Sequence, residues 1–167
     1  PIDFDMNVVY HEKIFKGLVE KLGYVAKPIP EGLCVVLSEL ADDDFTGIGI
    51  SCGGGMFNVA VAYKATAPLR FATSRGGDWV DRNVAMALGI KAARACYLKE
   101  TGPDLLNHKT REEQAIDIYY RELIRYTLTQ IKERFEKGRD MPNFPEPIDI
   151  VFAGGTSKIK GFIDVVR

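Results

Sequence analysis

The sequence predicts an α/β fold, a mixed sheet flanked by helices, and three observations carry that expectation. Phe57, Val59, Val61 and Tyr63 alternate with smaller residues, and strand-like segments lie close on either side. The pattern then changes to helical period from Val80 onward. A short apolar run, Ile148 to Ala153, returns after the last long helical stretch. A meander, two helices and a returning strand make an α/β layout.

Taken in order, Val8, Val9, Ile14, Phe15, Leu18, Val19 and Leu22 recur at three- and four-residue steps and predict an amphipathic helix from Asn7 to Leu22. Gly23 stands where a left-handed C-cap belongs. Tyr24 to Lys27 reads as a short strand closed by Pro28 and Pro30, and a mostly buried helix follows from Glu31 to Leu40. Asp42-Asp43-Asp44 reads as a solvated turn, since no further ligands flank it. Phe45 to Ile50, Phe57 to Tyr63 and Leu69 to Ser74 are expected to pair as an antiparallel meander. Val80, Val84, Ala87, Leu88 and Ala95 then place one helix ending near Glu100, followed by a polar loop from Thr101 to Lys109. The longest helix is expected from Arg111 to Lys137, on the order of 40 Å at about 1.5 Å per residue. Its buried stripe is Ile116, Tyr120, Leu123, Ile124, Leu128, Ile131 and Phe135. Met141 to Pro147 is a proline-rich connector, Gly154 to Ser157 a turn, and Lys158 the start of another helix.

Composition excludes several function classes. With 46% hydrophobic residues and 10% aromatics along 167 positions, the chain is no disordered segment. Its formal net charge is −1 and no basic stripe with interleaved aromatics is present, which argues against nucleic acid as a partner. No apolar run approaches the roughly 18 residues of a transmembrane segment. Cys34, Cys52 and Cys96 are far apart, lack CxxC spacing and read as reduced thiols of a cytoplasmic protein. His11 and His108 are isolated from the cysteines and from each other, so no metal site is expected.

The glycine turns carry the chemistry. One or two glycines would serve a hairpin between strands, but Gly53-Gly54-Gly55 supplies three. Without Cβ atoms, successive amides can point into one concavity and hold phosphate oxygens. Gly154-Gly155-Thr156-Ser157 has the same character, following an apolar strand and opening a helix. A P-loop is excluded because Gly155-Thr156-Ser157-Lys158 lacks the GxxxxGK[ST] spacing. A dinucleotide fingerprint is excluded because a strand follows the glycines where a helix is required.

The segments "IGISCGGGMFNVAVAY", "RGGDWVD" and "IDIVFAGGTSKIKGF", in that order, resemble the second half of the actin-like ATPase superfamily, which includes actin, DnaK-type chaperones, MreB, FtsA and sugar kinases. "PIPEGLCVVLSEL" resembles its connecting segment. The resemblance implies a ribonuclease-H-like lobe that binds ATP. Gly53, Gly54 and Gly55, with Ser51 before them, would form the second phosphate loop. Gly76-Gly77-Asp78 and Asp81 would begin the next helix, and Gly154 and Gly155, with Ser157 and Lys158, would receive the adenosine. It further implies that residues 1–41 end a first lobe and its connecting helix, that 42–167 form the second lobe, and that the rest of the first lobe lies upstream as the partner closing the cleft.

The departures from the pattern bear on chemistry. The family's loop usually reads Asp-x-Gly-Gly-Gly-Thr, its Asp helping to hold the hydration shell of Mg²⁺. Here that position is Ser51, the usual Thr is Met56, and Asn58 replaces an acidic residue. A hydroxyl carries no charge to balance Mg²⁺. The expectation is therefore a nucleotide-dependent switch or assembly role of MreB or FtsA type, through self-assembly into filaments, with weak or no hydrolysis. An active chaperone- or kinase-like ATPase is the alternative. The region between the Gly-Gly-Asp helix and the adenosine turn is short and reads as all-helical, so the β-containing subdomain that MreB and DnaK insert there is expected to be missing or reduced. A serine hydrolase is a third reading, since Gly49 to Gly53 satisfies G-x-S-x-G around Ser51 with Asp104 and His108 downstream. It requires a helix after Ser51, and the alternation from Phe57 argues for a strand.

Overall fold

A computed structural model describes residues 1–3, 8–138, 141–144 and 147–167, with the side chains of Val8 and Val9 undescribed. Six α-helices and four strands are formed among them. The helices are α1 (Val8–Lys21), α2 (Glu31–Glu39), α3 (Gly77–Leu88), α4 (Ala92–Glu100), α5 (Arg111–Lys137) and α6 (Phe162–Val166). The strands are β1 (Gly47–Cys52), β2 (Phe57–Tyr63), β3 (Thr66–Thr73) and β4 (Ile150–Ala153).

The strands form one mixed sheet in the order β3-β2-β1-β4. β1 and β2 pair antiparallel from Gly47↔Ala62 to Cys52↔Phe57, and β2 pairs antiparallel with β3, as the meander requires. β4 pairs parallel with β1, Ile48 opposite Ile150 and Ser51 opposite Ala153. The helices α3 to α5 make the crossover between them. Since β1 and β4 run the same way, the glycine turns that follow them emerge at the same end of the sheet.

Ile48, Ile50, Cys52, Phe57, Val59 and Val61 are buried with Val80 and Val84 of α3, Ile116, Tyr120 and Leu123 of α5, and Phe162 of α6. On the opposite side Val36 of α2 and Leu40 just after it pack with Ala62, Leu33, Phe45 and Val151. The middle strands are covered on both faces, which is why they read as nearly continuous apolar runs. The stripe expected on α5 falls on the core as the periodicity requires.

Four expectations need correction. Tyr24 to Lys27 forms no strand: Tyr24 is 70% and Val25 96% exposed, no partner edge lies beside them among the described residues, and Pro28 and Pro30 lack donors. The helix expected to run to Glu100 is two helices, because Gly89 takes a left-handed φ of 65° and ends α3. Lys158 ends a 3-10 turn (Gly155–Lys158) and does not start a helix; α6 begins after Gly161, at φ 84°. Phe45 lies outside β1, at φ 51°, and the strand runs on to Cys52. The expected helix start at Asn7 lies outside the described residues, as do Pro145 and Glu146 of the connector.

Candidate functional site

The Gly53–Gly55 hairpin is latched to the start of α3. Gly53 N–H donates to Met56 O and closes the turn. The first amides of α3 then donate back to the loop, Gly77 N–H to Gly53 O at 3.1 Å and Asp78 N–H to Gly54 O at 2.9 Å. These bonds satisfy helix donors that would otherwise be orphaned. They also require the N-cap to be Gly76, where a Cβ would stand 2.3 Å from Gly54 O. The N–H groups of Gly54 and Gly55 make no hydrogen bond among the described residues, and both glycines are exposed.

The second turn is pinned to the first. Gly154 has φ 104° and ψ 165°, and a Cβ there would lie 2.5 Å from Cys52 O, so only glycine lets β4 leave the sheet beside β1. Thr156, buried, donates from Oγ1 to Gly53 O at 3.0 Å and ties the turns together. Ser157 Oγ donates to Gly154 O. Gly155 is the position of this turn where an added Cβ would meet nothing within 4 Å.

Behind the turns lies a buried ion pair. Lys99 Nζ of α4 donates to Asp81 Oδ2 at 2.8 Å and to Gly77 O at 3.1 Å, with the two side chains 13% and 9% exposed. Lys99 thus fastens α4 to the first turn of α3. Asp81 Oδ1 is buried with no partner among the described residues, leaving one acceptor of the pair unspent. Burial raises the pKa of the Tyr120 phenol, and the Asp81 charge adds to the effect. Burial also pushes the Cys52 thiol up to about 12, so Cys52 is an inert core thiol.

A cleft of about 390 Å³ opens between these parts. Of the residues expected from sequence, Gly54, Gly155 and Lys158 line it. Asp78, Lys99, Glu100 and Thr156 complete its polar wall, with Tyr120 and Ile159 on the apolar side. Gly53, Gly55, Gly154, Ser51 and Ser157 are not among the lining residues: Gly53 and Gly154 shape the turns, and Ser51 Oγ donates to Glu31 Oε2 at 3.1 Å. Lys99, Glu100 and Thr156 were not singled out as site residues in the sequence. Lys99 and Glu100 belong to a helix that looks like an ordinary solvated segment, and Thr156 is visible only as part of the turn.

The hydrolase geometry is absent. Ser51 is followed by β2 and not by a helix, Asp104 pairs with Lys160, and His108 lies 4.0 Å from Asp117. Among the described residues no group of three or more His, Cys, Asp or Glu side chains could hold a metal ion directly. A Mg²⁺ ion would have to arrive on phosphate oxygens and keep most of its waters.

The Volactin family model matches the chain over residues 1–167. The chain belongs to the Volactin family. It is 25% identical over 167 residues to the cell division protein FtsA of Enterococcus hirae, covering 89% of this chain and 38% of that protein. In fold, this Volactin chain is similar to MreB 5 of Spiroplasma citri bound to AMPPNP, with a TM-score of 0.66 at 13% identity over 96% of this chain and 58% of that one. A non-polymerising MamK mutant bound to AMPPNP also gives 0.66, at 17% identity over 81% and 49%. The ethanolamine utilization protein EutJ of Carboxydothermus hydrogenoformans gives 0.59, at 21% identity over 83% and 45%. The fold is that of the actin-like ATPase superfamily, and the chain spans less than half the length of the FtsA and EutJ proteins it matches.

Proposed function

We propose that this Volactin chain is the ATP-binding lobe of a cytoskeletal or scaffold protein, in which bound nucleotide acts as an assembly switch with weak or no hydrolysis. The observation that carries this reading is the convergence of two glycine turns on one polar cleft at the carboxyl ends of β1 and β4, where open α/β sheets receive ligands. Two proteins of the same fold, MreB 5 and MamK, hold AMPPNP, an ATP analogue. The free amides of Gly54 and Gly55, with Lys158, suit phosphate oxygens. Gly155 leaves room for the nucleoside, and Glu100 offers an acceptor for its hydroxyls.

Residues 1–41 would close a first lobe and connect it, through α2, to the second lobe of residues 42–167. The exposed apolar side chains of Tyr10, Ile14, Phe15, Leu18 and Leu22 on and just beyond α1 support this division, because a patch of that kind marks a surface that another part of the protein covers. A ligand gripped by both lobes shifts their open–closed equilibrium and so can switch assembly.

Light scattering of the full-length protein with and without ATP and Mg²⁺ tests the switch, and phosphate release tests hydrolysis. Scattering is expected to rise with nucleotide while phosphate release stays near background. No change in scattering at any protein concentration would contradict the assembly role, and robust phosphate release would favour the active ATPase.

A further inference from the structure

Residues 1–3 are bonded to β3 and α5, far from them along the chain. Ile2 N–H donates to Ala72 O of β3, the edge strand, at 2.7 Å. Asp3 then engages both carboxylate oxygens: Oδ1 accepts from Ser74 N–H at 2.6 Å, and Oδ2 accepts from Tyr126 O–H of α5 at 3.0 Å. Such charge-assisted bonds are the stronger kind. Partial burial opposes the charge, but the bonds from Ser74 and Tyr126 outweigh it and hold Asp3 below the usual carboxylate range. The Tyr126 ring is held in turn by Arg75, whose guanidinium lies 3.8 Å from its centroid and 5.1 Å from that of Trp79. Ser74 and Arg75 lead directly into Gly76 and Gly77, where α3 is latched to the Gly53–Gly55 hairpin. Two antiparallel pairings give β3 the direction of β1, so its last residues stand at the same end of the sheet as the glycine turns.

The elements that follow Asp3 differ in how they are held. α1 packs closely on no other element among the described residues, and Tyr24 and Val25 beyond it are exposed. α2 is seated on β1 and β2: a Cβ on Gly32 would lie 2.5 Å from Ala60 N and 2.8 Å from Gly49 O. The chain is thus tied to the sheet on both sides of α1, by Asp3 before it and by α2 after it. We propose that Asp3 is an interlobe clasp, holding the segment that enters α1 against Ser74 and Tyr126, favouring the closed arrangement of the two lobes and so tightening nucleotide binding. This inference rests on the two-lobe nucleotide reading above and adds the contact that regulates closure. Spreading the lobes breaks the bonds of Asp3, whereas α2 stays seated on the sheet. A ligand gripped by both lobes gains from any contact made only in the closed state. The coupling is reciprocal, so bound nucleotide strengthens the clasp in the same measure.

Equilibrium titration of the full-length protein with ATP and Mg²⁺, together with small-angle X-ray scattering, tests the clasp. Asp3→Ala is expected to weaken ATP binding about fivefold. It should also enlarge the radius of gyration of the unliganded protein, with the excess removed by saturating ATP. Tyr126→Phe keeps the ring that Arg75 covers and loses one donor, so it should give a smaller change of the same sign. Added to Asp3→Ala it should cost nothing further, because its bond is already gone. A role confined to local stability would lower the melting temperature and leave affinity and radius unchanged, which overturns the inference. An unchanged radius overturns it whatever the affinity does, and tighter ATP binding in Asp3→Ala does so too, by placing the clasp in the open arrangement. Should Asp3→Ala not fold, Tyr126→Phe decides, and affinity and radius equal to those of the unaltered protein count against the clasp. If the unaltered protein binds no ATP, the nucleotide reading falls and the effect on affinity with it. ATP binding that neither variant alters removes this inference alone.

Discussion

Gly154 and Gly155 are adjacent and do different things. Gly154 holds a conformation that is essentially reserved for glycine, with the Cys52 carbonyl where a side chain would begin. Gly154→Ala is therefore expected to cost about 2–3 kcal/mol of stability, read as a lower urea midpoint with an unchanged slope. A loss below about 0.5 kcal/mol would show that the turn relaxes freely. The sequence showed both glycines but could not rank them, since the difference lies in what each faces across the sheet. The same holds for the triplet: Gly53 serves the hairpin, Gly54 meets Asp78, and Gly55 stands in the open. Glu31 was invisible as a partner of Ser51 for a related reason. It lies 20 residues before Ser51, and only the packing of Gly32 on Gly49 brings the two together.

At the level of elements, legibility followed the length of the periodic signal. The 27-residue α5 begins and ends where its pattern does, because Thr110 and Glu113 form a capping box at its start and Arg134 and Lys137 stand in its last turn. Thr110→Ala removes the acceptor for Glu113 N–H and is expected to lower stability by about 1 kcal/mol, measured by thermal or urea unfolding. No change would mean that packing alone fixes the helix start. The α3–α4 break at Gly89 was hidden because Val84, Leu88 and Ala95 keep nearly helical spacing across it. The supposed strand at Tyr24 to Lys27 failed for a different reason. Apolar side chains satisfy the pattern of a strand, but a strand also needs a partner edge, and among the described residues none lies beside these.

At the level of the whole molecule, the sheet order places every part that matters at one end. β1 and β4 both deliver a glycine turn there, α3 starts there, and α4 brings Lys99 and Glu100 to the same cleft. Motif order and spacing were enough to read the superfamily fold from the sequence, because each motif sits at a strand end and strand ends converge. The central claim is that this cleft is where nucleotide binds, and Gly155 offers the most direct test. A Cβ there meets nothing within 4 Å, yet the residue lines the cleft. Gly155→Leu should therefore leave the melting temperature of the unliganded protein unchanged while blocking the space a nucleoside would fill. The decisive measurement is the ATP affinity of Gly155→Leu against the unaltered protein by equilibrium titration. A loss of at least tenfold, about 1.4 kcal/mol, is predicted, and equal affinities in two equally stable proteins would contradict the assignment of this cleft.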